Sequence, residues 1–251
     1  MNKPNHGLKR WLKRADGFLM ELLFPRGVTC LCCDCAPQVE LEDGLCEACA
    51  SALEELHARQ SAFEAKGAYR TLEELSFVCA AFPYEGAAKE LIRQLKFERI
   101  RRAADPLIPV MALLPSGEEE LIVPVPTTKK RLRDRGFNQS LLLAQGVGLA
   151  LGMPVEDVLE RMGEQEAQAT LPVGVRLENL HGCMRAKRRL EGMRILLVDD
   201  VYTTGATARE AARALCEAGA KSVGVFAAAR ALPEEERPEF LQNRRWGRRE
   251  G

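Results

Sequence analysis

The chain reads ILLVDDVYTTGAT from Ile195 to Thr207, and this segment is more informative about the fold than any other. Its four leading residues are apolar, which is typical of a strand buried on both faces of a parallel sheet. Asp199 and Asp200 follow directly, at the strand end where open α/β sheets place their ligands. Small and apolar residues at helical spacing come next, so a helix starts near 204–207 with its unpaired N–H groups at the same edge.

This edge of the predicted sheet offers two unlike surfaces side by side. The helix start suits a dianionic phosphate, because Gly205 allows close approach and the neighbouring threonines supply hydroxyls. The two aspartates accept hydrogen bonds from sugar hydroxyls, and they are also ligands for Mg2+. A ribose 5-phosphate satisfies both surfaces.

The same segment resembles the phosphoribosyl pyrophosphate (PRPP) motif of type I phosphoribosyltransferases. The resemblance implies that Asp199 and Asp200 contact the ribose 2′- and 3′-hydroxyls of PRPP, which binds with Mg2+. It also implies that the 5-phosphate is bound by a loop, here called the phosphate loop: Thr203, Thr204, Gly205, Ala206 and Thr207. The alternatives are an acidic pair that caps a helix, and a two-aspartate metal site of another α/β family.

A second informative segment, residues 123–139, reads VPVPTTKKRLRDRGFNQ and follows a predicted strand. Five cations against one aspartate between Lys129 and Arg135 predict a dense positive loop. Such a loop can hold pyrophosphate and neutralise the charge that develops on it. The resemblance to phosphoribosyltransferases implies that Arg135 and its neighbours Arg131 and Arg133 bind the pyrophosphate. The alternative is a solvated basic loop.

The chain has nine cysteines, and six of them fall between Cys30 and Cys49. Two C-x2-C pairs separated by twelve residues are typical of a four-thiolate structural Zn2+ site in a reducing compartment. The favoured ligands are Cys30, Cys33, Cys46 and Cys49. Cys32 and Cys35 have the same spacing and remain an alternative first pair.

Predicted strands and helices alternate from about residue 76 to 229, which indicates an α/β fold with a parallel sheet flanked by helices. We expect this type I phosphoribosyltransferase-like domain over 68–230 and a small N-terminal four-cysteine zinc-ribbon module over 28–60. A lead-in helix over 1–27 and a charged tail over 231–251 complete the predicted organisation.

The combination of zinc module and transferase-type domain resembles the ComF (ComFC-like) family, which is associated with DNA uptake and natural competence. The matching stretches are Phe82–Gly86, Leu95–Phe97, Pro124–Pro126, Arg135–Gln139, Gln168–Arg176, Asn179, Gly182 and the PRPP segment, with Met184 standing where the family usually has Phe. The resemblance implies transfer of ribose 5-phosphate from PRPP, with release of pyrophosphate. The implied catalytic residues are Asp199, Asp200, Lys96 and Arg135.

The overall charge is balanced, with 36 Lys and Arg against 36 Asp and Glu among 251 residues, so nucleic acid or phosphate must be bound through local patches. The competing function is a non-catalytic PRPP-sensing or single-stranded-DNA-binding competence accessory protein, with a competence helicase as a further partner. The zinc module and local basic runs favour it. An aromatic fraction of 6% disfavours a base-stacking platform.

The longest apolar stretch near the start, residues 18–24, is too short for a membrane-spanning helix and contains a glutamate. We therefore expect a cytoplasmic protein without a membrane span. The ribosyl acceptor and the oligomeric state are not readable from the sequence.

Overall fold

A computed structural model describes residues 29–36, 44–64, 75–113, 118–162 and 182–231. The predicted lead-in helix, the tail beyond residue 231, and the ComF-like stretches 168–176 and 179 lie outside the described residues. The described strands are β1 (Phe77–Pro83), β2 (Leu121–Pro124), β3 (Leu159–Arg161), β4 (Met184–Ala186), β5 (Arg194–Tyr202) and β6 (Ser222–Arg230). The described helices are α1 (Glu47–Glu64), α2 (Gly86–Arg93), α3 (Ile108–Met111), α4 (Lys129–Arg135), α5 (Gln139–Leu151) and α6 (Ala206–Glu217).

Four of the strands form one parallel sheet in the order β1-β6-β5-β2. β5 lies in the interior of the sheet, and its residues Ile195–Val198 are fully buried because both faces of the strand are covered. One face packs against apolar side chains of α1, α2, α3 and α5, and the other against α6 and the antiparallel β3–β4 ribbon. The predicted α/β fold, a parallel sheet flanked by helices, is confirmed.

Several predicted elements differ in extent or type. The basic segment after β2 is a helix, α4, rather than a loop. Residues 101–111 form only a 3₁₀ turn (Arg101–Ala104) and the single-turn α3, because Pro106 and Pro109 prevent a longer helix. β5 continues past Val198 to Tyr202, since β6 pairs with it as far as Arg230.

The cysteine-rich segment is packed on the helices that flank the parallel sheet. α1 starts at the second cysteine pair and runs to Glu64, past residue 60 where the zinc-ribbon module was predicted to end. Cys30, Leu45 and Leu53 belong to the same apolar cluster as Leu91 of α2. Among the described residues, none of the helices combines the length and apolar character that crossing a membrane requires.

Candidate functional site

The acidic pair lies at the carboxyl edge of β5, beside a cavity of about 420 Å3. Seven of the predicted site residues line this cavity: Lys96, Arg131, Arg135, Asp199, Asp200, Thr203 and Thr207. They come from four elements that are distant in sequence, and the parallel sheet brings them to one edge. Thr204, Gly205 and Ala206 lie beside the cavity without lining it, and Arg133 lines a neighbouring cleft.

Both carboxylates of the pair have polar partners within the protein. Asp199 Oδ1 accepts hydrogen bonds from Ser140 Oγ at 3.0 Å and from the Asp200 backbone N–H at 2.8 Å. Asp200 Oδ1 lies 2.8 Å from Lys96 Nζ, and only 13% of the Asp200 side chain and 17% of the Lys96 side chain are exposed. Lys96 therefore neutralises part of the charge of the pair.

The electrostatic state of Asp199 is unusual for a carboxyl group. Burial, with a further contribution from the charge of Asp200, raises the pKa of Asp199 to about 7. Lys96 and the hydrogen bonds from Asp200 N–H and Ser140 oppose this shift. A carboxyl group whose pKa lies near 7 changes its charge readily when a cation or a sugar hydroxyl binds next to it.

The phosphate loop is shaped by one tight backbone contact. Gly205 has φ +76°, in the left-handed region that favours glycine, and it caps α6. A Cβ atom at this position would overlap the Tyr202 hydroxyl. The loop therefore turns closely over Tyr202 and delivers the first turn of the twelve-residue α6 to the cavity edge.

The basic wall of the cavity comes from α4. Thr128 caps this helix by accepting a hydrogen bond from the Arg131 N–H at 3.1 Å. Arg135 donates to Gln139 Oε1 at 3.1 Å, and its guanidinium lies 5.7 Å from the centre of the exposed Phe97 ring. Burial lowers the pKa of Arg135, but an arginine remains charged at neutral pH.

Ser140 and Arg161 also line this cavity and were not predicted as site residues. Ser140 orients Asp199, and the half-buried Arg161 donates from Nε to the Pro126 carbonyl at 3.0 Å while lining the cavity wall. Burial lowers the pKa of Arg161. The only sequence signal was a polar residue just inside a helix start for Ser140, and β3 is too short to give Arg161 a periodic pattern.

A second and larger cleft, of about 990 Å3, adjoins the cavity across Pro126, Thr127 and Arg131. Its lining combines six cations with three acidic residues: Arg101, Lys129, Lys130, Arg131, Arg133 and Arg161 against Asp134, Asp157 and Glu160. Phe137 and leucines of α5 also line it. The cleft suits an anion larger than a sugar phosphate, with apolar parts.

The cysteine cluster forms a separate candidate metal centre. Sγ atoms of Cys30, Cys33, Cys46 and Cys49 all lie within 4.8 Å of one another, and those of Cys33 and Cys46 are 3.7 Å apart. Tetrahedral zinc with Zn–S bonds of 2.3 Å requires S–S separations of about 3.8 Å. Backbone N–H groups of Cys32 and Cys46 also donate to Cys30 Sγ, at 3.4 and 3.3 Å. These four thiols fit a structural Zn2+ ion.

Cys32 and Cys35, the alternative first pair, lie in different surroundings. Cys32 Sγ points to α2 and donates to the Ala87 carbonyl at 3.6 Å, and burial raises the pKa of Cys32 to about 12. Cys35 is exposed beside the cluster, where hydrogen bonds with Cys33 and Cys46 raise its pKa to about 12. The four-thiol cluster thus contains Cys30 and Cys33 and leaves Cys32 bonded to the main domain.

Comparisons with known proteins match the domain that carries the acidic pair. A family model described as "Phosphoribosyl transferase domain" matches residues 138–244. DNA utilization protein YhgH of Salmonella typhimurium is 34% identical over 57% of this chain and 66% of its own length. Competence protein ComFC of Bacillus subtilis is 34% identical over 59% and 61%, and YhgH of Escherichia coli K12 is 33% identical over 59% and 70%. The chain thus spans less than two thirds of the first two relatives.

Proposed function

Since the chain belongs to the ComF family and carries a phosphoribosyltransferase domain, we propose that it binds PRPP and transfers ribose 5-phosphate to an acceptor with release of pyrophosphate. One observation carries this proposal. Asp199 and Asp200 line a cavity together with the start of α6 and with Lys96, Arg131 and Arg135. An acidic surface for a diol thus adjoins two surfaces for phosphate groups.

In this proposal the sugar and its phosphate bind across the end of β5. The carboxylates of Asp199 and Asp200 accept hydrogen bonds from the two ribose hydroxyls. The hydroxyls of Thr203 and Thr207 donate hydrogen bonds to the 5-phosphate, and the backbone around Gly205 allows the phosphate to approach the start of α6. Ser140 holds Asp199 in place for this contact.

The pyrophosphate group would bind on the opposite side of the cavity. Lys96, Arg131 and Arg135 line that side, and charge-assisted hydrogen bonds from them would stabilise the leaving group. Arg133 faces the neighbouring cleft and would assist only if α4 moves toward the cavity. Carboxylate and phosphate oxygens suit Mg2+, which when bound with PRPP would neutralise charge on the pyrophosphate.

The reaction breaks the bond between ribose C1 and pyrophosphate, and the bonding electrons leave with the pyrophosphate. Positive charge then builds on the ribose ring, and the ionised carboxylates of the acidic pair stabilise it. A nucleophile of the acceptor forms the new bond to C1 and gives up a proton. The identity of this acceptor does not follow from the cavity.

Calorimetric titration with PRPP and Mg2+ tests the proposal. The double variant Asp199→Asn/Asp200→Asn should bind PRPP about tenfold more weakly or worse, since even one charged hydrogen bond of about 1.4 kcal/mol accounts for that factor. Asp134→Asn/Asp157→Asn, two acids of the neighbouring cleft, is the matched control and should bind normally. Unchanged affinity in the first variant would remove the acidic pair from the proposal, and pyrophosphate release with candidate acceptors tests turnover.

The larger cleft supports a second candidate function, that of a PRPP-sensing or single-stranded-DNA-binding accessory protein without turnover. Six cations line that cleft, and the relatives bear the names "DNA utilization protein" and "Competence protein". Binding of a labelled single-stranded oligonucleotide should weaken steeply with salt, and Lys129→Ala/Lys130→Ala should reduce that salt dependence. Salt-independent or absent binding would leave the transferase as the better proposal.

A further inference from the structure

Lys96 stands on an unusual piece of backbone. α2 ends at Arg93 and continues into a π-helical turn, Gln94–Glu98. Arg99 then closes this turn with φ +62°, which a side chain other than glycine rarely adopts. Such a turn keeps its shape only when its surroundings hold it.

Four consecutive residues of this turn have four different partners. The Gln94 side chain bonds to the Leu31 carbonyl, and the Leu95 carbonyl accepts from Gln139 Nε2 of α5 at 3.2 Å. Lys96 pairs with Asp200, and the Phe97 ring lies beside Arg135. The contacts of Lys96 and Phe97 are with residues that line the cavity, and the contacts of Gln94 and Leu95 hold the turn in place.

The Gln94 contact joins the turn to the cysteine cluster. Leu31 lies between Cys30 and Cys32 in the first thiol-bearing turn, here called the knuckle (residues 30–33). The knuckle has a second contact with α2, because Cys32 Sγ donates to the Ala87 carbonyl. The shape of the knuckle is therefore connected through two hydrogen bonds to the segment that carries Lys96.

Gln94 is a poor choice for packing alone. Its side chain is buried, yet its Oε1 accepts no hydrogen bond from the residues that the structure describes. A buried carbonyl oxygen without a donor destabilises a protein, and an apolar side chain of the same length would avoid this. An apolar residue would provide neither the bond from Nε2 to the knuckle nor the 3.4 Å contact from Nε2 to Glu90 Oε1, and only the first of these joins α2 to another part of the chain.

We propose that Gln94 is a positioning residue, through which the knuckle holds Lys96 against Asp200. The metal centre then contributes to the PRPP site as well as to stability. The effect on PRPP binding rests on the proposed function, whereas the positioning of Lys96 by Gln94 does not.

The first test measures the reactivity of lysines in the zinc-loaded full chain by limited acetylation and mass spectrometry. Gln94→Met should raise acetylation of Lys96 about threefold, because an ion pair that is loosened but not lost exposes the amine for a larger part of the time. Lys89, exposed on α2, is the internal reference and should not change. Gln60→Met makes the same substitution at another buried glutamine, which bonds to Glu64, and should leave Lys96 protected.

The second test measures PRPP affinity in a double-mutant cycle. Lys96→Ala alone should weaken binding about tenfold. Gln94→Met should weaken it less, and should have no further effect in the Lys96→Ala background, because it acts through Lys96. A general structural role would give additive losses. Gln94→Glu, which also removes the donor, replaces Gln94→Met if that variant loses its fold by circular dichroism.

The outcomes separate the two proposals. If the wild type does not bind PRPP, the proposed function fails, while the acetylation result still decides the positioning role. If the wild type binds but Lys96 acetylation is the same in Gln94→Met and Gln60→Met, the positioning role is wrong and the proposed function stands. Chelation of the metal should raise Lys96 acetylation in the wild type and add little in Gln94→Met.

Discussion

The four-thiol cluster and the acidic pair solve the same electrostatic problem in different ways. Each brings together ionisable groups, four thiols or two carboxyls, that repel one another when they are ionised. Burial raises the pKa values of the Cys30 and Cys49 thiols, so without a cation these two stay protonated. Burial acts on Cys46 too, but hydrogen bonds, those with Cys49 foremost, outweigh it and lower the pKa of Cys46 to about 7. Asp199 and Asp200 instead have Lys96 and Ser140 as partners inside the protein.

The difference separates a site that is assembled by its ligand from one that is ready before its ligand arrives. Metal binding to the cysteines supplies folding free energy, because the ion offsets the repulsion between four thiolates held close together. The acidic pair is fixed by β5, whose backbone pairs on both sides with β2 and β6. Removal of the metal and changes around the acidic pair should therefore have different consequences.

The largest expected effect follows removal of the metal. Chelation, or Cys33→Ser, should lower the unfolding temperature by about 10 °C, the shift that a loss of 3–5 kcal/mol produces in a chain of this size. Such a large value is expected because Cys30 and Leu53 are part of the main apolar cluster. Differential scanning fluorimetry and zinc content by mass spectrometry measure the two consequences.

Cys32→Ser is the matched control for that experiment. Its Sγ bonds to Ala87 rather than joining the cluster, so zinc content should remain at one ion per chain. Loss of zinc from Cys32→Ser and retention in Cys33→Ser would make Cys32 and Cys35 the first ligand pair. In that case Cys32 would bind the metal, and its bond to Ala87 of α2 would no longer distinguish it from Cys33.

An intermediate effect is expected at the phosphate loop. Gly205→Ala forces a side chain into the left-handed region and against the Tyr202 hydroxyl, so it should destabilise the protein by about 2–3 kcal/mol in urea unfolding. Gly192→Ala has a similar φ, +74°, with no atom within 4 Å of the new Cβ. This control should cost about 1 kcal/mol, the cost of the backbone conformation alone. Equal losses would mean that the loop is not preformed over Tyr202.

The sheet could be predicted from the sequence because its strands are continuous apolar runs. Ile195–Val198 identified the interior strand, and Asp199 marked its ligand-binding end. The predicted end of this strand, at Val198, lies too early in the chain. Polar residues after an apolar run predict a loop, but pairing with β6 keeps the backbone of β5 extended as far as Tyr202. The basic segment resembled a loop for the same reason, although Thr128 caps it as a helix.

The partners within the candidate site were harder to predict. Lys96 came from a family resemblance, and its pairing with Asp200 joins residues 104 positions apart in the chain. Ser140 and Arg161 have no local pattern that distinguishes them from other polar residues. Their contacts depend on how α5 and β3 pack on the sheet, which is a property of the tertiary structure.

The smallest effect concerns the charge state of the preformed site. Because burial raises the pKa of Asp199 to about 7, well above that of an unfolded aspartate, folding favours the protonated acid. Its contribution to stability is complete at low pH and is lost as the pH rises through 7. Relative to Asp199→Asn, the wild type should therefore lose about 1.4 kcal/mol of unfolding free energy between pH 6 and pH 8.

Comparing the two proteins at each pH isolates this contribution, since ionisation of the zinc ligands affects both equally. Urea unfolding at pH 6, 7 and 8 with saturating zinc provides the measurement. A constant difference would show that Asp199 is ionised throughout this range, with Lys96 and Ser140 outweighing burial. Asp199 would then carry its charge before PRPP arrives, in contrast to the thiol of Cys30, whose pKa is raised by burial.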